Sequence, residues 1–125
     1  ITLCFLFLLP LVDASAQNGI NSKIKMTIEN GDAIKMAKHF NTSVDLTTPT
    51  IDNTVSHNHA AQVLKNFFAS YPPTSFAINH DGYSNDGSHY IIGTYKSGKY
   101  SFVVYILLRK SPEKYKIFQL QFEKK

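Results

Sequence analysis

At Pro72-Pro73 the hydrophobic spacing of this chain changes from helical to alternating, and that switch limits the folds open to it. Before the prolines, Ala60, Val63, Leu64, Phe67, Phe68 and Tyr71 fall at i, i+3, i+4, i+7, i+8 and i+11, one face of an amphipathic helix. Ser56 stands where an N-cap belongs, and the prolines cannot continue the helix. After them the period is two, in segments near 75–84, 88–97, 99–110 and 115–123. Asn85-Asp86-Gly87, Ser97-Gly98 and Ser111-Pro112-Glu113-Lys114 separate these segments, with glycine for positive φ or proline for the second turn position. Such short connections join antiparallel neighbours, so the prediction is an α+β domain: a long helix over a four-stranded antiparallel meander.

Upstream, Ile20, Ile24 and Ile28 recur at helical spacing until Asn30-Gly31, a helix stop. Asp32 then caps a second short helix with Ala33, Ile34, Ala37 and Phe40 on one face. Val44 and Leu46 alternate with Asp45 and Thr47, a short strand that brings the count to four or five, and Thr48 to Val55 around Pro49 reads as a loop.

Pairing the meander through its turns without a bulge assigns its faces. Phe76, Ile78, His80, Tyr90, Ile92, Val103, Tyr105, Leu107, Phe118, Leu120 and Phe122 fall on the face beneath the helices. Asn79, Asp81, His89, Tyr95, Tyr100, Gln119 and Gln121 fall on the other. Gly82 and Gly93 inside strands predict a bent sheet, and a bent sheet around a helix makes a cone. The expected pocket is lined by Phe67, Phe68, Phe76, Ile78, His80, Tyr90, Ile92 and Tyr105 and suits a small apolar ligand.

Ahead of the domain, an apolar run from Leu3 to Val12 ends in Ala14-Ser15-Ala16, the small-residue pattern of a signal-peptidase site. Residues 1–16 are therefore expected to be a removable leader that lacks its own first residues, and 17–125 one domain, periplasmic or secreted. The run is too short and too broken by Pro10 to span a membrane, so no anchor is expected after cleavage. Cys4, the only cysteine, would leave with the leader, so no disulfide is expected. Loss of Asp13, its one charged residue, would raise the formal charge from +4 to +5. The lysines are scattered and not interleaved with aromatics, which argues against a nucleic-acid partner.

Two helices, a strand, a long helix and a meander is the element order of the nuclear transport factor 2-like, or cystatin-like, superfamily. Asn30-Gly31-Asp32-Ala33 leading to Phe40, Val44-Asp45-Leu46, Phe67-Phe68 with Pro72-Pro73, Phe76, His80 with Gly82, and Tyr90-Ile91-Ile92-Gly93-Thr94 sharpen the likeness. The mature chain resembles a family of exported Bacteroidetes-type proteins, classed within that superfamily as a domain of unknown function. The resemblance implies the fold and the compartment, and no activity. The acid and base residues of the superfamily's isomerases and cyclases find no matching motif here, so no catalytic residue is carried over.

Among individual residues, His80 stands out because the face assignment sets an imidazole among apolar neighbours near Tyr90 and Tyr105, as a general base, a ligand contact or a hydrogen-bonded core histidine. His57 and His59, two apart at a helix start, point to different sides and do not make a metal pair, so neither metal nor cofactor is expected. His39 and His89 read as surface, and Asp45 and Asp81 as surface or rim. Three function classes stay open. They are a ligand-binding or accessory domain, an isomerase or hydro-lyase using His80, and an interaction or homodimerisation module using the open sheet face of Tyr95, Tyr100, Phe102, Ile106 and Ile117.

Overall fold

The structure, a computed structural model, describes residues 11–125, with side chains from Gly19 onward. The expected leader, Ile1–Ala16, lies outside the described residues over its first ten positions. Helix α1 (Leu11–Glu29) buries Ile24 and Ile28 and ends at Gly31, whose φ of +64° suits glycine. Asp32 caps α2 (Ala33–Ala37), its carboxylate accepting from the Lys35 N–H at 3.0 Å. Strands β1 (Phe40–Thr48) and β2 (Ile51–Ser56) pair as a hairpin. Ser56 then caps α3 (His57–Ser70) by accepting from the His59 N–H at 3.2 Å. The meander is β3 (Ser75–Tyr83), β4 (His89–Ser97), β5 (Tyr100–Lys110) and β6 (Tyr115–Lys124).

The sheet has six strands in the order β2-β1-β6-β5-β4-β3, and β1 pairs parallel to β6. Four expectations are corrected. The sheet is mixed and six-stranded, not antiparallel with four or five strands. The stretch expected as a loop is strand β2, an edge strand whose one fully buried side chain, Val55, gives too weak an alternation to read. The first helix, at 19 residues, is longer than the 14-residue α3, so the N-terminal helices are not both the shorter ones. In α2 the buried side chains are Ala33, Met36 and Ala37, whereas Ile34 is 70% exposed and Phe40 belongs to β1.

The core lies between the helices and one sheet face. Phe67 is its hub, with ring centroids 4.3 Å from Phe122, 5.2 Å from Phe102, 5.4 Å from Tyr71, 5.5 Å from Tyr95 and 6.0 Å from Phe68. Offset and edge-on aromatic packing at these separations adds to the stabilisation from burial itself. Tyr95 is fully buried, and its hydroxyl donates to the Tyr71 carbonyl at 2.5 Å, which satisfies the one polar atom of that ring. Burial pushes the Tyr95 phenol well above its ordinary value.

Two bulges decide which residues reach this core. In β3 the pairing steps from Ile78 opposite Gly93 to His80 opposite Ile92, leaving Asn79 over. In β6 it steps from Ile117 opposite Leu108 to Gln119 opposite Leu107, leaving Phe118 over. Each extra residue reverses the facing of the strand beyond it. The β4–β5 pair between them runs without a break, so both central strands are inverted relative to the bulge-free expectation. Phe76, Leu120 and Phe122 are buried as expected, with Ile91, Tyr95, Phe102, Val104, Ile106, Leu108 and Ile117 beside them. Tyr90, Ile92, Val103, Tyr105 and Leu107 lie on the outer face.

Candidate functional site

The corrected facing divides the expected pocket. Phe67, Phe68 and Phe76 are buried together in the core, and Ile78 is half-buried on the inner face. His80, Tyr90, Ile92 and Tyr105 are on the outer face, where His80 is exposed opposite Ile92. The expected open-face set is corrected in the same way. Tyr95, Phe102, Ile106 and Ile117 are buried, and of its members only Tyr100 is exposed.

His89 is a third correction, since it is 1% exposed and not a surface residue. It starts β4 directly opposite Tyr83, the last residue of β3, and the two rings stack at 4.8 Å with an interplanar angle of 25°. Tyr115, which opens β6, approaches the imidazole edge-on at 5.9 Å. Asp81, two residues before Tyr83 and so on the same face, brings Oδ2 to 3.5 Å from His89 Nε2. From α1, Asn21 donates through Nδ2 to that same oxygen at 2.7 Å. Four elements thus gather one carboxylate, one imidazole, one amide and two phenols at the β3–β4 turn end of the sheet.

The turn beyond the cluster is well tied. Gly87 has φ +87°, the Ser84 N–H donates to the Ser88 carbonyl at 2.8 Å, and Asp86 Oδ1 accepts from the Ser88 N–H at 2.9 Å. Those Ser88 hydrogen bonds hold the Asp86 carboxyl below its usual range. Within the cluster, loss of solvent, then the adjacent Tyr115 hydroxyl and the Asp81 carboxylate, raise the Tyr83 phenol above its ordinary value.

Two buried polar atoms of the cluster, His89 Nδ1 and Asn21 Oδ1, have no hydrogen-bond partner among the described residues. Buried polar atoms are nearly always paired, and two exceptions in one cluster mark it out from the rest of the fold. With Nε2 facing a carboxylate, the neutral form of the imidazole carries its proton there and leaves Nδ1 an acceptor, whereas the protonated form makes both nitrogens donors. Asn21 Oδ1 is an acceptor by construction, since Nδ2 is the atom turned to Asp81.

The other histidines gather no such company. His57 lies edge-on to Phe40 at 6.2 Å and His59 is exposed. His39 is half-buried, and burial together with Lys23 holds its imidazole below the ordinary value. Among the described residues no three His, Cys, Asp or Glu side chains gather to hold a metal ion, and no helix is long and apolar enough to cross a membrane. On the outer face, Tyr90, Ile92, Tyr105, Leu107 and Gln119 line a shallow groove. The Tyr90 ring there covers Gly82, its cross-strand partner.

The sequence does carry a signal for the cluster. Alternation sets Asp81 and His89 on one face, at the end of a hairpin where a third residue, Tyr83, joins them. Without the bulges, that face reads as the open one.

No curated protein sequence matches the chain. Among solved structures, a DUF4783 family protein from Bacteroides uniformis superposes with a TM-score of 0.79 at 24% identity, over 85% of this chain and 97% of that one. An NTF-2 like protein of unknown function from Silicibacter pomeroyi gives 0.62 at 12% identity, over 90% of this chain and 96% of that one. A domain of unknown function with a cystatin-like fold from Nostoc punctiforme gives 0.69 at 14% identity, over 92% and 78%. These likenesses give the fold as NTF2-like, or cystatin-like, α+β. The family described as a domain of unknown function, DUF4783, matches residues 21–123, and the chain belongs to that family.

Proposed function

We propose that this domain is an exported ligand-binding module whose site is the inner-face cluster of Asn21, Asp81, Tyr83, His89 and Tyr115. One observation carries the reading: the His89 side chain is 2% exposed, yet its Nδ1 has no partner among the described residues. Leaving such an atom unpaired costs about 1–3 kcal/mol, so folds meet it with an ordered water, an ion or a ligand. A small, largely apolar ligand in the middle of the core has less support, because the rings around Phe67 pack together there. Action after export rests on the apolar run and Ala14-Ser15-Ala16. An isomerase or hydro-lyase reading finds less support at His80, which is exposed on the outer face, than at His89 with Asp81.

A second reading has its own observation. Tyr90 and Tyr105, each 37% exposed, flank half-buried Ile92 and Leu107 on the outer face, an apolar surface suited to a second copy or a protein partner. A fragment screen with amide chemical-shift mapping separates the two. Shifts centred on Asn21, Asp81, Tyr83, His89 and Tyr115 support the ligand site. Shifts confined to Tyr90, Ile92, Tyr105 and Leu107, with concentration-dependent sedimentation, support the docking face and contradict the ligand site.

A further inference from the structure

We infer that the His89 cluster recognises a protonated primary amine, an inference that rests on the ligand-binding reading above. The unpartnered atoms are His89 Nδ1, an acceptor in the neutral imidazole, and Asn21 Oδ1, and the opposite polar atoms of the same two side chains, Nε2 and Nδ2, meet at Asp81 Oδ2. A ligand carboxylate or phosphate would bring only lone pairs to this arrangement. An ammonium brings three N–H donors and no lone pair, and its charge offsets that of Asp81.

The Tyr83 ring fits the same chemistry. Tyr83 lays its aromatic face on the imidazole, a face that outward rotation of the ring frees, and π faces attract cations. Lys110 places Nζ 5.8 Å from the Tyr115 ring centroid, a like charge that an incoming ammonium meets on that side, so the attraction must come from Asp81. The net charge of +4 opposes a cationic ligand at long range, but salt screens that field beyond about 8 Å, whereas Asp81 acts at contact. Access to the buried imidazole runs past Tyr83, whose ring is stacked on it and whose own surface is 45% exposed. Outward rotation of that ring opens the path, and the ammonium then takes up both acceptors.

The test titrates the full chain with propylammonium chloride, sodium propionate and propanol at constant pH and ionic strength, reading the imidazole signals of His89 by NMR. The exposed outer-face His80 serves as internal reference. Propylammonium is expected to shift the His89 signals saturably while His80 stays still, and Asp81→Asn should weaken that binding about tenfold or more, the effect of losing a charge-assisted contact. Saturable shifts with propionate or propanol instead would overturn the amine class while leaving a ligand site at His89. No saturable shift with any of the three, or equal movement of His80 and His89, would overturn the amine proposal. If the fragment screen also leaves the cluster untouched, the ligand-binding reading falls with it.

Discussion

Tyr83 and His89 face each other across the last pair of β3 and β4 with their rings stacked at 4.8 Å, so the exposed phenol shields the buried imidazole. Tyr83→Ala should strip that shield at small cost in stability, about 0.5–1.5 kcal/mol for a lost aromatic pair. Diethylpyrocarbonate modification of His89, read by mass spectrometry, should accelerate several-fold in the variant. An unchanged rate would mean that the imidazole is enclosed by something other than Tyr83.

Phe67 contacts rings from α3, β4, β5 and β6, so it ties the helix to three strands at once. Phe67→Ala should cost about 3–5 kcal/mol in urea denaturation, a large share of the roughly 5–15 kcal/mol a domain possesses. A loss below about 1 kcal/mol would contradict this packing.

The two strand glycines should respond differently to the same change. A Cβ on Gly93 would stand 2.6 Å from the Ala77 carbonyl oxygen and 2.7 Å from the Phe76 ring, backbone and core atoms that cannot retreat. Gly93→Ala should therefore cost about 1–3 kcal/mol. At Gly82 the nearest atom is the Tyr90 hydroxyl at 2.8 Å, the far end of a mobile outer-face side chain. Gly82→Ala should cost less than about 1 kcal/mol. Thermal melts of the two variants side by side give the ranking.

Stability should also fall on the acid side through His39. Burial and then Lys23 depress its folded-state value below the ordinary 6.5, so the unfolded chain binds this proton more readily. The contribution is fully present above that ordinary value and is lost as pH falls through the folded one. Urea midpoints at about pH 7.5 and about pH 5 should differ more for the wild type than for His39→Gln.

The elements legible in the sequence are those with strong local signals. Ser56 and Asp32 cap helices because their side chains reach the third N–H, and the Gly87 and Gly98 turns need positive φ, so each boundary is set within four residues. Facing is not legible, because it depends on Asn79 and Phe118, two ordinary residues whose bulging arises from how neighbouring strands meet. That non-local term moves His80 out and His89 in. Strand β2 is hidden for a related reason, since an edge strand pairing only with β1 needs little apolar alternation. The cluster's composition is in the sequence, but its burial is not.

The most direct measurement compares His89→Phe with His80→Ala in both stability and ligand binding. His89→Phe keeps the ring stacked on Tyr83 and removes both nitrogens, while His80→Ala alters an exposed outer-face residue and should move stability by no more than about 0.5 kcal/mol. With the fragments that bind the wild type, the account predicts that His89→Phe stays folded and loses binding, and that His80→Ala binds as before. Binding that survives in folded His89→Phe, or that disappears in His80→Ala, would contradict a functional centre at His89.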